Sequence, residues 1–418
     1  MPASWLRFTL CIAVVTGLAG CGGSSNGGSG GGGGGNPTIV TYTFKGTMPT
    51  AVATQIGTGA FTQASLDSGT LTISVPNGTT DYAVAYACPP DTLLTNPSIT
   101  EQVIFASTLD GVSFSPRCGA TVAVSQGLAT VQVNAAAIPG AAFVKVGSLL
   151  GQIQPWSGST LSFSANLFTG TQDIPVSVMD ASLNVLAART LRGQTVPGAL
   201  NGGNPVVFAA SDETVPETAT LNDIPTGFSV LAFSAFYQTD GGALISLSVN
   251  QTPHYSAMPA GAFQSGDYYL FLASAFNNKT LGDGVSVETT SASAGPQSFT
   301  FPAPWSYSGP TAAALPTFDF DYTGFSGMSN VSRSAFIWWV QGTASINTIS
   351  IAASANYQNG ATTVAVPDLS SLTGFLAPAA SGTTIGWRTE VHQGNPFLTT
   401  PPNGTLQFVS NAGTYTEP

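Results

Sequence analysis

The chain has 418 residues, of which 20 are Asp or Glu and 9 are Lys or Arg, so its formal net charge at pH 7 is −11. Charged residues make up 7% of the sequence, against about 25% in a typical soluble domain. Nucleic acids and anionic lipid surfaces bind clusters of Lys and Arg. The sequence has no such cluster, so we expect no nucleic-acid partner.

The first 20 residues predict export from the cytoplasm. Arg7 is the only charged residue among them, and an uncharged, apolar run of 13 residues follows from Phe8 to Gly20. A membrane-spanning helix needs about 20 apolar residues. A shorter run that follows a basic residue is typical of a secretory signal. We therefore expect residues 1–20 to form a signal peptide.

The apolar run ends in four residues that match a processing site: Leu18, Ala19, Gly20 and Cys21. They resemble the lipobox of bacterial lipoproteins, in which the signal is cleaved before the cysteine and the thiol receives a diacylglycerol. The resemblance covers residues 1–21 only. It implies that Cys21 is lipidated and, because Gly22 rather than Asp follows, that the anchor lies in the outer membrane, on its periplasmic face or at the cell surface. Two or three acyl chains, at about 0.8 kcal/mol per buried methylene, make such anchoring essentially permanent.

A glycine-rich segment follows Cys21. Residues 22–36 include ten glycines, and the others are Ser or Asn. Such a sequence forms a flexible coil, here with a root-mean-square span of roughly 20 Å. We expect residues 21–36 to be a disordered tether that carries the lipidated cysteine.

Two cysteines are left to form a disulfide. Cys11 is removed with the signal and Cys21 is lipidated, so Cys88 and Cys118 remain. Because exported proteins meet oxidising conditions, we expect these two to form one disulfide. The alternative is a redox or metal-binding pair, which neither a C-x-x-C spacing nor a nearby histidine supports.

Alternating residue polarity predicts β-strands along the rest of the chain. Leu71, Ile73 and Val75, for example, alternate with Thr and Ser, as expected for a half-buried strand. Asn-Gly and Asp-Gly sequences tolerate the positive φ of tight hairpin turns, and they predict hairpins at residues 110–111, 240–242 and 359–360. The best candidate for a short helix is residues 367–376, where Asp368 caps the first turn.

These patterns predict an all-β fold of tandem antiparallel β-sandwich domains, immunoglobulin-like, after the tether. Residues 37–418 are too many for one sandwich of about 100 residues. Segments with a weak strand pattern divide them into a disulfide-containing domain at 37–135 and further β domains at 136–212, 213–300 and 301–418.

A run near the C-terminus carries the chemistry-bearing side chains Arg388, Glu390 and His392 on one strand face. In one interpretation, Glu390 and His392 form a metal-binding or acid–base pair. In the other, which we favour, the three are a solvated charge stripe on an edge strand.

Two carboxylates, Asp319 and Asp321, alternate with aromatic residues in the sequence Phe-Asp-Phe-Asp-Tyr. They share one face of a strand, and paired carboxylates attract hard cations. We consider Ca²⁺ at a domain junction, with Asp319 and Asp321 among its ligands. The alternative is a solvated acidic face above an aromatic core.

The most apolar strand contains Trp338 and Trp339, which face opposite sides. A strand that is apolar on both faces is either covered on both sides or offers an aromatic surface to a ligand. Tryptophan stacks well on sugar rings, so Trp338 and Trp339 are candidate ligand-binding residues. Core packing is the interpretation we favour.

The shortage of titratable side chains favours a protein without catalytic activity. We expect an exported, lipid-anchored envelope or surface lipoprotein that serves adhesion, envelope structure or ligand binding. Its partners would be the membrane, through the acyl chains, and a glycan or protein at the cell surface. The alternative is a surface-anchored hydrolase of glycans or peptides that uses either Asp319 and Asp321 or Glu390 and His392.

Overall fold

The computed structural model describes eleven stretches of the chain: residues 36–46, 48–89, 98–118, 126–148, 151–241, 243–248, 252–277, 282–325, 331–341, 345–393 and 404–418. The predicted signal peptide, Cys21 and the tether up to residue 35 lie outside the described residues. Within the described ranges the regular structure consists of strands and short 3₁₀ helices. No helix there is long and apolar enough to span a membrane.

The first module is a two-layered sandwich closed by a disulfide. Its strands are β1 (Thr38–Thr43), β2 (Lys45–Gly46), β3 (Ala51–Ile56), β4 (Thr62–Ala64), β5 (Thr70–Val75), β6 (Asp81–Cys88), β7 (Ser98–Ser107), β8 (Ser113–Phe114) and β9 (Arg117–Cys118). Strands β5, β1 and β8 form one layer, and β4, β3, β6 and β7 belong to the other. Tyr42, Ile73 and Tyr82 are buried between the layers. The predicted disulfide between Cys88 and Cys118 is confirmed, with an S–S distance of 2.10 Å.

The second module has its own core. Its strands are β10 (Gln126–Asn134), β11 (Phe143–Val146), β12 (Gln152–Pro155), β13 (Leu161–Phe168), β14 (Gly170–Met179), β15 (Val185–Val196), β16 (Gly198–Ala199) and β17 (Val206–Val207). The sheet of β13, β10, β16 and β17 packs against the sheet of β12, β11, β14 and β15. Val131, Val176 and Phe208 are buried between them, since alternate residues of each strand point inward.

The third module is built around a cluster of aromatic rings. Its strands are β18 (Val215–Asn222), β19 (Phe228–Gln238), β20 (Leu244–Ser246), β21 (His254–Ala257), β22 (Tyr268–Asn277), β23 (Gly284–Ser291) and β24 (Gln297–Thr300). The Phe271 ring lies 5.1 Å from that of Tyr255 and 6.3 Å from that of Phe299. These contacts join the layer of β21, β18 and β24 to the larger sheet.

The fourth module contributes the last strands: β25 (Thr317–Asp319), β26 (Val331–Gln341), β27 (Ser345–Ala353), β28 (Thr363–Ala365), β29 (Thr384–Gln393) and β30 (Gly404–Thr416). The two-stranded ribbon of β25 and β28 covers one face of β26, β27, β29 and β30. Phe318 and Phe320 of the covering layer and Ile337 and Trp339 of β26 are buried in one shared core.

Twelve strands of the described chain form one continuous sheet, in the order β20-β19-β22-β23-β30-β29-β26-β27-β7-β6-β3-β4. The fourth module occupies its middle. It joins the third module through the antiparallel pair β30–β23 and the first module through the parallel pair β27–β7. The sheet therefore links strands from the predicted segments 37–135, 213–300 and 301–418. The boundaries of the four predicted domains stay a prediction.

The predicted all-β fold with several sandwiches is confirmed, but its sheets are mixed. Parallel pairs such as β1–β8, β18–β24 and β7–β27 occur beside the predicted antiparallel ones. The connections between parallel partners pass through other strands, because two parallel neighbours cannot be joined by a tight turn.

One of the three predicted hairpins is confirmed, since β19 and β20 pair antiparallel around residues 240–242. The other two are wrong. At residues 110–111 a 3₁₀ helix, Thr108–Asp110, follows a cap by Ser107, and at 359–360 the turn is the 3₁₀ helix Tyr357–Gly360. In both places the strands before and after the turn lie in different sheets. The other 3₁₀ helices of the described ranges are Leu200–Gly203, Ala210–Asp212 and Ala260–Ala262.

Candidate functional site

The fourth module exposes one face of the central sheet, and Trp338 and the sequence-predicted polar residues of β29 lie there. Residues 335, 337 and 339 of β26 point into the core. The alternate residues of β26 point the other way, and Phe336 and Val340 are 38% and 57% exposed. We call this surface the open face and define it by six side chains: Phe336, Trp338, Val340, Arg388, Glu390 and His392.

Cross-strand register brings these six side chains together. In the antiparallel pair β26–β29, Phe336 lies opposite Arg388 and Ser334 lies opposite Glu390. Directly opposed residues share a face, with Cβ atoms about 5 Å apart. The aromatic and the polar halves of the open face are therefore adjacent.

The predicted pair of tryptophans is divided between the two faces. Trp339 is 3% exposed and packs in the core. Trp338 is half-buried on the open face, and its ring lies 5.6 Å from that of Phe336 at an angle of 41°. Of the two candidates, only Trp338 presents its ring at this surface, and its ligand-binding role stays a prediction.

Trp338 packs directly on the backbone of Gly386, which lies opposite it on β29. A Cβ atom at Gly386 would overlap the indole ring, so glycine is what allows the tryptophan to rest on the strand. The indole forms part of a recess with a volume of about 450 Å³. The recess is lined by Trp338, Trp339, Val340, Thr383, Thr384, Gly386 and Thr414.

The polar half of the open face is a hydrogen-bonded network. Arg388 Nε donates to Glu390 Oε1 at 2.7 Å, and His392 Nε2 lies 3.3 Å from Glu390 Oε2. Ser334 Oγ lies 3.0 Å from the same nitrogen, His392 Nε2. Burial acts to raise the pKa of Glu390, but the charge of Arg388 and the contact with His392 outweigh it and hold that pKa well below its usual range. Glu390 is therefore ionised at neutral pH.

This geometry differs from that of a Ser-His-acid triad. In a triad the serine and the acid contact different imidazole nitrogens, so that the acid orients the ring while the serine gives up its proton. Here Ser334 and Glu390 both contact Nε2. The arrangement favours an ion-pair network over a nucleophilic site. The predicted grouping of Arg388, Glu390 and His392 on one strand face is confirmed by their alternation with buried Trp387 and Val391. The predicted solvated stripe on an edge strand is wrong. Strand β29 pairs with β26 on one side and with β30 on the other, and His392 is buried.

Glu288 of β23 is a member of this surface that the sequence did not reveal. It lies opposite Leu406 on β30, and two residues further along β30, Phe408 lies opposite His392. Burial raises the pKa of Glu288, and the charge of His392 partly opposes that rise. Only the pairing of β23, β30 and β29 places Glu288 on the same face as His392, with β30 between their strands, so no local sequence signal marks it.

The candidate calcium ligands lie elsewhere. Asp319 and Asp321 are exposed on the outer side of the layer that covers the opposite face of the sheet, while Phe318 and Phe320 point into the core. Asp321 Oδ1 accepts a hydrogen bond of 3.1 Å from Trp305 Nε1. Within the described stretches, no three His, Cys, Asp or Glu side chains are grouped to hold a metal. A Ca²⁺ site at Asp319 and Asp321 stays a prediction.

A second ion-pair cluster joins the second and third modules. Arg192 of β15 donates to both carboxylate oxygens of Asp267, at 2.6 and 3.1 Å, and to Asp173 at 2.9 Å. The Tyr237 hydroxyl also donates to Asp267. Burial acts to raise the pKa of Asp267, but these hydrogen bonds outweigh it and lower the pKa. The cluster fixes the contact between the two modules rather than forming an accessible site, since the Asp267 side chain is fully buried.

Comparisons with known proteins give no family. No protein-family model matches the chain, and no curated protein matches it. Among solved structures, it is similar to the Bacillus anthracis TIE protein, with 9% sequence identity and a TM-score of 0.15. That alignment covers 91% of this chain and 65% of the other, so this chain spans just under two thirds of that protein's length. A similarity of this size carries no argument about fold or function.

Proposed function

We propose that this protein is a lipoprotein of the bacterial cell envelope, anchored in the outer membrane through Cys21 and without catalytic activity. One observation carries the proposal: Leu-Ala-Gly-Cys at residues 18–21 ends an apolar segment and precedes a glycine-rich tract. The acyl chains would hold the protein at the membrane. The tether would let the β-sandwich modules reach a ligand.

The open face supports ligand binding as the role of these modules. It combines half-exposed aromatic rings with an ion-paired polar row on neighbouring strands. Hydrogen bonds across the central sheet hold those strands in register, and a rigid site loses less conformational entropy on binding.

Loss of the lipidation site tests the anchor. The full-length protein is expressed in a bacterium with an outer membrane and labelled with an alkyne analogue of palmitate, and membranes are separated by centrifugation. The wild type should carry the label and sediment with the outer membrane. Cys21→Ser should carry no label and should leave the membrane fraction. Cys11→Ser, within the signal segment, is the matched control and should behave as the wild type does. A labelled, sedimenting Cys21→Ser protein would contradict the proposal.

A surface hydrolase is the second candidate, and one observation favours it. Glu288 and Glu390 lie on the same face of the sheet, on strands separated by β30, and their pKa values are shifted in opposite directions. Two carboxylates with separated pKa values are the pattern of an acid–base pair.

Glu288→Gln and Glu390→Gln distinguish the two candidates when wild type and variants are incubated with a panel of glycans and peptides. Hydrolysis by the wild type that both variants lose supports the hydrolase. Equal absence of hydrolysis, with Glu213→Gln as an exposed control, supports the non-catalytic role.

A further inference from the structure

The recess at Trp338 combines an apolar floor with a neutral polar rim. The indole rests on the backbone of Gly386, so strand β29 supports the ring from below. The ring forms the floor of the recess. Thr384 and Thr414 are exposed at the edge, with Thr383 beside them. Among the described residues that line the recess, none carries a charge.

This combination selects the chemistry of a ligand. A hydroxyl rim forms hydrogen bonds without needing a charged partner, and an aromatic floor favours a flat, apolar surface. A pyranose ring with equatorial hydroxyls has both features, since its C–H bonds form an apolar face and its hydroxyls form the edge. The volume of about 450 Å³ lies within the range of about 300–1,000 Å³ for small-molecule sites.

We propose that this recess binds a neutral glycan through stacking of a glucose- or xylose-type pyranose ring on Trp338. This inference rests on the proposed ligand-binding function and names its ligand class. The Phe336 ring, 5.6 Å from that of Trp338, extends the aromatic floor along β26. A neighbouring sugar ring of the same chain would contact Phe336, so an oligosaccharide binds more tightly than a monosaccharide.

The test uses the full-length protein in detergent and isothermal titration calorimetry with cellohexaose, xylohexaose and glucose. The wild type should bind at least one hexasaccharide, and more tightly than glucose. Trp338→Ala should weaken that binding by about tenfold or more, since the loss of one stacked ring corresponds to about 1.4 kcal/mol. Trp338→Phe should fall between the two. Phe168→Ala, which removes a 44% exposed ring from the second module, is the matched control and should bind as the wild type does.

A second variant tests the rim without removing the ring. Thr384 and Thr414 are exposed, so the isosteric change of both to Val leaves the fold intact and removes two hydroxyls. We expect weaker binding of the same hexasaccharide, with an unchanged thermal unfolding midpoint.

Two results would overturn the proposal: no hexasaccharide binding by the wild type at about 10 mM, well above a millimolar Kd, or equal binding by Trp338→Ala. Light scattering tests whether a second copy of this chain, rather than a glycan, occupies the recess. Self-association that Trp338→Ala abolishes, without glycan binding, would make this face an interface between copies of the chain. Membrane fractionation of Cys21→Ser is independent of these measurements, so a failure of glycan binding is distinguishable from a failure of the proposed anchor.

Discussion

Glu101 is a buried carboxylate at the junction between the first and fourth modules. It is 2% exposed on β7 and lies opposite Ala87 on one side and Ile349 on the other. Its Oε1 accepts a hydrogen bond from the backbone N–H of Leu376. Burial raises the pKa of Glu101 to about 7, although this hydrogen bond acts to lower it.

Glu101→Gln removes the charge and keeps an oxygen to accept the Leu376 N–H. In the unfolded chain the carboxyl titrates near its ordinary pKa of 4.5. Between that value and about 7 the folded protein binds more protons than the unfolded chain does. The free energy of unfolding therefore falls as the pH rises through this window. A rise from 4.5 to about 7 corresponds to about 3 kcal/mol, at about 1.4 kcal/mol for each pKa unit.

The assay is urea unfolding of wild type and Glu101→Gln, followed by tryptophan fluorescence at pH values from about 4 to about 8.5. We expect the variant to gain about 3 kcal/mol relative to the wild type across this range. At each pH, the difference in the free energy of unfolding between the two proteins cancels the contribution from titration of the other carboxyls. Glu213→Gln, an exposed glutamate, is the control and should follow the wild type. Identical pH dependence of wild type and Glu101→Gln would refute the claim that burial raises this pKa.

Three further changes test the ion pair between two modules, the disulfide of the first module and the packing on the open face. Arg192→Met leaves the buried carboxylate of Asp267 without its ion-pair partner, and it should lower the free energy of unfolding by about 3–5 kcal/mol. Its control, Arg189→Met, removes a cation that is 45% exposed and should cost at most about 1 kcal/mol. Cys88→Ser opens a disulfide with a sequence separation of 30 and should cost about 2–5 kcal/mol. Gly386→Ala places a methyl group where the indole rests, and it should cost about 1–3 kcal/mol and change the fluorescence spectrum.

Chemical denaturation in urea measures the three stability changes. Equal losses of stability for the Arg192 and Arg189 variants would mean that burial does not strengthen the ion pair of Arg192 with Asp267. For the disulfide, reduction of the wild type should reproduce the unfolding midpoint of Cys88→Ser. An unchanged midpoint and an unchanged emission spectrum in Gly386→Ala would show that the indole does not rest on that glycine.

Part of the candidate site could be predicted from sequence. The alternation in β29 placed Arg388, Glu390 and His392 on one face, and the structure confirms that grouping. The alternation in β26 assigned Trp338 and Trp339 to opposite faces but did not show which face is covered. The position of Glu288 on the same face as His392 could not be predicted, because β23 and β29 are connected only through β30.

Turn prediction failed where the local backbone conformation fits a turn but the flanking strands pair with other strands. Asn359 adopts the positive φ of 53° that an Asn-Gly turn requires, yet β27 and β28 pair with other strands. Asp368 accepts hydrogen bonds from Ser370, as a capping residue does, but residues 367–376 form turns rather than the predicted helix. The side chain satisfies a local hydrogen bond, whereas helix length depends on packing of an amphipathic face.

The sequence by itself determined that the chain folds into strands and that Cys88 and Cys118 pair, because side-chain alternation and the cysteine count are local properties. Tertiary structure alone decided which strands are neighbours, including the parallel pair of β7 and β27, which joins residues more than 200 positions apart. A strand exposes the same backbone donors and acceptors to any partner. Which strands pair therefore depends on how whole faces of the sheets pack against each other. That packing leaves Trp338 at the surface and buries Trp339 and Glu101.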